Sequence, residues 1–326
     1  MSTSGTYSFT VTRDDIIREA MLNIGKLDAY GSIDATETTD CARKLNMLVK
    51  QWMGRYDFAP GLKIWTRQRA DLFLSSTQYR YQLGPSGDNW AAGVATVPGA
   101  NYATNQTSVY AAAGASSLSF TSTSQFTAGD SVVIQLSTGD IQSTTVSTVA
   151  AGSITLAATL TAAVNQGAYV WNYTTKGQRP LEIVTAILRD AQSNDTVLDY
   201  MTIETYEALP SKTQAGVVAD PTAIYYEAQL TNGDLYIDCA GAQDITKHLH
   251  IVYLRPVQDF NNPLDNPEYP AEWFNALCWG LSKQICPMFN AVWTPEMQSN
   301  YQEAISYARE ANPDKTDIYF VPGQFP

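Results

Sequence analysis

The two histidines of the chain, His248 and His250, have the residue type and spacing that can bind a metal ion. Residues i and i+2 of a strand point to the same face, and zinc commonly takes histidine ligands. A zinc site needs a third or fourth ligand, and no cysteine or carboxylate stands at a convincing distance in the sequence. The pattern therefore favours a half-exposed strand face, and we predict no metal and no cofactor.

Motifs for nucleophilic catalysis and phosphate binding are missing from the sequence. There is no Gly-x-Ser-x-Gly elbow, no P-loop and no Gly-x-Gly-x-x-Gly fingerprint. With two histidines available, a Ser-His-Asp arrangement assembled in space remains an open alternative. The sequence itself points to no catalytic residue.

Paired carboxylates are the remaining chemistry, because two acids flanking a sugar bond can hydrolyse it. The candidate pairs are Glu204 with Glu207 and Glu268 with Glu272. A chain with 32 acidic residues produces such pairs by chance, and solvated helix faces explain them better. We therefore predict that the protein is not an enzyme and keep a glycan hydrolase as the alternative.

The composition indicates a folded protein that does not grip nucleic acid. Of the 326 residues, 44% are hydrophobic and 16% are charged, and the net charge is −12. Phosphate binding needs clustered Lys and Arg, whereas an acidic wall would repel DNA passing nearby. The four cysteines show no CxxC spacing and are predicted to be free, buried thiols made in a reducing cytoplasm. No apolar run reaches the length of a membrane span.

Helical periodicity is strongest between Pro270 and Ala311, and the predicted fold is built around the helices of this segment. Pro270 starts a helix, Pro287 ends it, and a second helix starts at Thr294–Pro295. Near the N-terminus, Thr12 caps one helix and another runs over residues 35–56. Because amphipathic helices must bury their apolar stripes, we predict that these four form one bundle. Its predicted core residues are Ile17, Met21, Leu45, Leu48, Trp52, Trp273, Leu277, Leu281 and Ile285.

Between the helices the pattern changes to strands. The predicted fold class is α+β: a helical bundle of N- and C-terminal helices, with a β-sandwich-like middle region that carries an inserted small all-β module. Residues 313–326 are predicted to be an extended tail, because its prolines prevent helix formation. The predicted domains are 1–60 with 257–312, 61–90 with 176–256, the inserted module 91–175, and the tail 313–326.

Three groups of residues resemble the head-to-tail adaptor family of short-tailed bacteriophages, also called packaged-DNA stabilisation or tail tubular A-like proteins. The order of the three groups carries the resemblance, which spans most of the chain. The first group is Thr12–Ala20, Asn23–Gly25 and Leu45–Trp52; the second is Gly129–Ile134, Gly139–Val146, Tyr173–Lys176 and Arg179–Leu181; the third is Tyr225–Tyr226, Gln229–Gly233, Tyr253–Pro256 and Phe260–Ile285.

The resemblance implies a structural protein of the virion neck, assembled in the host cytoplasm. Its copies, usually twelve, would form a homo-oligomeric ring under the portal protein. The ring would extend the channel for double-stranded DNA without sequence-specific binding, help to retain the DNA, and give the tail nozzle or tail tube its docking platform. Tail fibres are an open further partner, and no membrane is implied.

The tail supplies the predicted contact with the portal or a neighbouring subunit. An extended segment with apolar anchors suits strand addition or groove binding. Two alternatives of other classes remain open: a virion-associated cell-wall glycan hydrolase, and a carbohydrate-binding adhesin that uses the inserted module. The predicted anchors of the tail are Ile318, Tyr319, Phe320 and Phe325.

Overall fold

The computed structural model describes residues 5, 9–28, 30–53, 64–210, 219–239 and 244–311. The chain divides into two compact units, Met1–Thr66 with Pro256–Pro326 and Arg67–Arg255. The α-helices are α1 (Arg13–Asn23), α2 (Ala35–Trp52), α3 (Ile203–Glu207), α4 (Phe274–Ile285) and α5 (Pro295–Ala311). The strands are β1 (Arg67–Phe73), β2 (Arg80–Leu83), β3 (Trp90–Gly93), β4 (Ala103–Gln106), β5 (Ser117–Ser119), β6 (Ser131–Gln135), β7 (Ile141–Ala150), β8 (Ser153–Leu156), β9 (Tyr169–Tyr173), β10 (Thr175–Lys176), β11 (Glu182–Arg189), β12 (Asp195–Val197), β13 (Asp199–Tyr200), β14 (Ala223–Glu227), β15 (Gly233–Ile237) and β16 (His248–Leu254).

The helical unit contains helices from both parts of the chain. Thr12 and Asp15 form a capping box at the start of α1, which satisfies free amide groups of the first turn. Helix α4 packs against α1, α2 and α5, so it lies at the centre of this unit. All nine residues predicted to form the bundle core are buried in one cluster: Ile17, Met21, Leu45, Leu48, Trp52, Trp273, Leu277, Leu281 and Ile285.

The start of α4 differs from the sequence prediction. Pro270 precedes a short 3-10 turn, Ala271–Trp273, and the α-helix begins only at Phe274. Further along, Gly280 lets α2 approach closely, because a Cβ there would lie 2.8 Å from the Trp52 ring and 3.0 Å from Leu48.

Two sheets of the β unit share one hydrophobic core. The first has the strand order β10-β3-β1-β16-β11-β12 and the second β13-β14-β15-β2. Strands β1 and β16 pair over their full lengths, from Arg67 opposite Leu254 to Phe73 opposite His248. Apolar residues of both sheets, including Leu72 and Leu235, are buried together.

Strands β14 and β15 form a hairpin around Asn232-Gly233, a dipeptide that is typical of tight hairpin turns. The glycine is needed here for another reason. Gly233 lies inside β15, and a Cβ there would overlap the ring of Tyr226. Close packing, rather than a left-handed turn conformation, therefore requires glycine at this position.

The third sheet, a half-barrel, has the order β4-β9-β6-β7-β8-β5. Its two edge strands approach each other, and an isolated bridge joins Thr107, just after β4, to Phe120, just after β5. Gly139 connects β6 and β7 with a φ of +82°, which glycine adopts readily. This sheet has its own buried cluster, which includes Val132 and Ile154.

The predicted fold class, a helical bundle with a β-sandwich-like middle, is wrong. The described part of the protein is mostly β, with three sheets and only about 25% helix in five short helices. The error has a physical source, because an amphipathic stripe shows which face of a helix is buried but not how much of the fold is helical. Alternation along a strand likewise shows a buried face but not the partner strand, so the half-barrel was not predicted.

All four cysteines are buried and free of disulfides: Cys41, Cys239, Cys278 and Cys286. Burial raises the pKa of Cys41 to about 11 and that of Cys278 to about 12, so both thiols stay protonated near neutral pH. Among the described residues, no helix combines the length and apolar character that a membrane span requires.

Candidate functional site

His248 and His250 lie on β16 and project from the same face of the first sheet, since strand residues alternate. Their neighbours on β1 are Phe73, opposite His248, and Asp71, opposite His250. His248 is only 4% exposed, so the predicted half-exposed strand face is wrong for this residue. Residues distant in sequence cover it, which a strand pattern cannot reveal.

Asp71 connects the two histidines. Its Oδ1 lies 2.8 Å from Nδ1 of His250 and 3.4 Å from Nε2 of His248. Its Oδ2 accepts a hydrogen bond of 2.6 Å from the side-chain amide of Asn101. Burial alone would raise the pKa of Asp71, but hydrogen bonds from His248 and His250 and the attraction of His248 outweigh it and hold the pKa below its usual value. The carboxyl therefore stays ionised.

Aromatic residues from the segment of the half-barrel close over this cluster. The Tyr102 hydroxyl lies 3.1 Å from Nε2 of His248, and the Tyr102 ring meets Phe73 edge-on at 5.2 Å. Trp171 stacks on Phe73 at 5.1 Å. Burial, together with the negative charge of Asp71, raises the pKa of Tyr102 to about 12. We define these as the histidine cluster: Asp71, Phe73, Asn101, Tyr102, Trp171, His248 and His250.

The histidine cluster joins the half-barrel segment to the first sheet through polar and stacking contacts. Among the described residues, no group of three or more His, Cys, Asp or Glu side chains could hold a metal ion. Asp71 orients His250 as the acid of a triad would, but both residues are inside the sheet packing. The arrangement fits a buried, hydrogen-bonded cluster around an ionised carboxylate, which fixes two parts of the β unit together.

The acid pairs considered for hydrolysis lie in different surroundings from those of a glycosidase. Glu204 and Glu207 are both exposed on α3, and a hydrogen bond from Thr202 lowers the pKa of Glu204. A general acid needs a raised pKa instead. The Glu268 carboxylate accepts the backbone N–H of Gln258 at 3.0 Å, so it is used within the fold.

Two exposed stripes on the helical unit have matching spacing and opposite charge. The α2 stripe consists of Arg43, Met47 and Lys50, and the α5 stripe consists of Glu303, Tyr307 and Glu310; all six are exposed. Both follow the i, i+4, i+7 spacing of a single helix face. In each, an apolar residue lies between two like charges: Met47 is 54% exposed and Tyr307 is 64% exposed.

A groove of about 590 Å³ runs beside the α2 stripe, between α2 and the segment that contains Asp259 and Asn261. Asn46 holds this segment in place, since its side chain exchanges two hydrogen bonds with the backbone of Phe260, of 3.0 and 2.9 Å. Lys50 forms an ion pair of 2.6 Å with Asp259, and Arg43 forms one of 2.7 Å with Asp40. Exposed ion pairs of this kind contribute little to stability. Both cations can therefore exchange their present partners for others.

The predicted tail contacts, Ile318, Tyr319, Phe320 and Phe325, lie outside the described residues. The two stripes were not predicted, although the spacing of Arg43, Met47 and Lys50 is visible in the sequence. The signal that could have found them was an apolar residue on the polar face of each helix.

No protein-family model matches this chain, and no curated protein matches it either. The residues described above therefore carry the functional argument.

Proposed function

We propose that this protein is a structural head-to-tail adaptor of a tailed bacteriophage, which forms a ring beneath the portal. In this role it extends the DNA channel, helps to retain packaged DNA and offers a platform to the tail nozzle. The order of the sequence stretches that resemble the adaptor family supports the proposal. So does the layout of the chain, in which segments from both ends share one helical core.

The observation that carries the proposal is the complementarity of the α2 and α5 stripes. A surface that pairs with a different surface on the next copy produces a head-to-tail contact, and such contacts close into rings when the rotation allows. Arg43 and Lys50 of one copy face Glu303 and Glu310 of the next. Tyr307 enters the groove beside Met47, which supplies the aromatic anchor that interfaces favour.

Charge reversal tests this contact in the full-length protein. The double variant Arg43→Glu/Lys50→Glu has two acidic stripes, and Glu303→Arg/Glu310→Arg has two basic ones, so neither should assemble alone. Mixing the two variants should restore rings of alternating subunits, because each acidic stripe then meets a basic one. Sedimentation velocity and negative-stain images would measure assembly. Arg69→Glu/Arg179→Glu, which lies in the β unit, is the matched control for Arg43→Glu/Lys50→Glu because it changes the net charge by the same amount.

A test of the adaptor role requires the portal protein of the same virion. We expect the adaptor to co-sediment with portal rings and to appear beneath them in images. Truncation after Ala311 should leave the circular dichroism spectrum unchanged but weaken this co-sedimentation, because the tail anchors are lost. Failure of the full-length protein to bind the portal would contradict the adaptor role. Portal-bound rings that survive the charge reversals would contradict only the stripe contact.

A further inference from the structure

The half-barrel leaves a cleft at the seam between its two edge strands. Beside the bridge from Thr107 to Phe120, the backbone N–H of Ser108 donates to the carbonyl of Ser119 at 2.8 Å. Away from this closed end, a cleft of about 260 Å³ separates β4 from the segment that follows Phe120. We call it the seam cleft; the polar side chains that line it include Thr104, Asn105, Gln106, Ser122, Ser124 and Gln125.

The seam cleft offers hydrogen-bonding groups and no ionisable side chain. Asn105 donates to Asn172 at 2.9 Å, so its own side-chain oxygen keeps capacity as an acceptor. The backbone carbonyl of Gln125 accepts hydrogen bonds from Thr96 at 2.8 Å and from Asn172 at 2.7 Å, which fixes this residue. The cleft is therefore held in shape before any ligand arrives.

The side-chain oxygen of Gln125 forms no hydrogen bond within the described part of the protein. Its Oε1 is buried and has no hydrogen-bond partner among the described residues. An unsatisfied buried acceptor destabilises a protein and is rare in native structures. Gln125 lines the seam cleft, so a rotation of its side-chain amide would turn this shielded acceptor toward a donor supplied from outside.

Charge excludes most classes of ligand. Between residues 91 and 175 the only charged side chains are Asp130 and Asp140. Asp130 accepts hydrogen bonds from Asn172, Thr174 and the backbone of Thr127. Asp140 accepts hydrogen bonds from the Ser75 hydroxyl and the backbone N–H of Ser76. Neither is left to attract a cation, and no Lys or Arg is present to attract a phosphate or a sulfate.

We propose that the seam cleft binds a neutral glycan. Hydroxyl groups of a sugar both donate and accept, so they can donate to Gln125 and Asn105 and accept from Thr104, Ser122 or Ser124. The volume is below the roughly 300–1,000 Å³ of drug-sized sites, so it holds one sugar unit of a longer chain. This proposal does not depend on the adaptor role, since it concerns a different part of the molecule.

Saturation-transfer NMR with the full-length protein tests the proposal, using glucose, galactose, mannose and N-acetylglucosamine as probes. At least one sugar should receive saturation. Thr104→Val removes a hydroxyl at constant shape and should weaken its binding about fivefold or more, as expected for one lost hydrogen bond. Thr145→Val, at an exposed strand threonine of β7 outside the cleft, is the matched control and should bind as the wild type does.

Gln125→Met separates binding from folding. The substitution removes the unsatisfied oxygen at similar volume, so the melting temperature should rise or stay equal while sugar binding is lost. No saturation of any of the four sugars would overturn the proposal. It would also be overturned if Thr104→Val and Gln125→Met both bound sugar as strongly as Thr145→Val.

Discussion

Asp71 and His250, 179 positions apart in the sequence, lie opposite each other on β1 and β16 with 2.8 Å between Oδ1 and Nδ1. An ionised carboxylate only accepts hydrogen bonds, so Nδ1 of His250 carries the proton. This pair fixes the register of the two central strands of the first sheet, because a slip by one residue would send each side chain to the opposite face.

Asp71→Asn should lower the stability of the β unit, and the loss should depend on pH. The pKa of Asp71 is lower in the folded protein than its unfolded value of 3.8. Its contribution is therefore fully present above that value and is lost as the pH falls through the folded pKa. We expect a loss of about 3–5 kcal/mol near neutral pH, shrinking in acid, measured by urea denaturation across pH.

The exposed Asp199→Asn is the control for this titration and should change stability by no more than about 0.5 kcal/mol. Tyr102→Phe keeps the ring but removes the hydroxyl beside His248, and should cost about 1 kcal/mol. A constant difference between the wild type and Asp71→Asn down to strongly acidic pH would contradict the lowered pKa.

Trp273→Ala should cost about 3–5 kcal/mol of unfolding free energy, as for other buried aromatic residues. Trp273 is fully buried, and its ring meets Trp52 edge-on at 5.9 Å and Trp65 at 5.5 Å. Trp279→Ala, at a half-buried tryptophan of the adjoining α4, is the comparison and should cost clearly less. Equal losses in chemical denaturation would show that Trp273 is not the centre of this core.

Asn46→Ala should destabilise the helical unit by about 2 kcal/mol, since it leaves both backbone groups of Phe260 without their partner. The prediction is specific because Phe260 is only 5% exposed and water cannot easily replace the amide. Gln302→Ala, on the exposed face of α5, is the control and should be nearly neutral. Overlapping denaturation curves for the two variants would contradict a stabilising role for the hydrogen bonds between Asn46 and Phe260.

The half-barrel segment should be removable if the deletion leaves all strands of the first sheet in place. Strands β3 and β10 belong to that sheet, and the N–H of Thr174 donates to the carbonyl of Gly93 at 2.8 Å. Replacing residues 95–173 by a short Gly-Ser link therefore joins two neighbouring positions. The deletion exposes Phe73, so we expect a soluble product only when Phe73→Thr is added. Size-exclusion chromatography and circular dichroism measure this, and aggregation of both products would show that the segment completes the sheet.

Local patterns in the sequence identified the buried faces of the helices well. Leu45, Leu48 and Trp52 repeat at helical spacing, and all are buried. Thr12 and Asp15 are near neighbours in the chain, so their cap could be predicted from residue type and spacing alone. These features depend on contacts within a few residues, which is where periodicity carries information.

Contacts between distant residues could not be predicted in this way. His248 is buried by Tyr102, which lies 146 residues earlier in the chain, and no period relates the two. The spacing of the α2 and α5 stripes is visible in the sequence. The exposure of Met47 and Tyr307, which distinguishes them from buried apolar residues, is known only from the structure. The seam cleft depends on the curvature of a sheet whose strands are rich in small polar residues and therefore carry weak patterns.

The adjacent entry and exit of the half-barrel segment have a mechanical consequence. Its chain leaves the first sheet through β3 and returns through β10, and these two strands are antiparallel neighbours. A pull on the segment would load their hydrogen bonds one after another, as in peeling. Strands β1 and β16, with seven paired positions, would be strained only after that junction had opened. Under tension, the segment would therefore separate from the first sheet while the central strands remained paired.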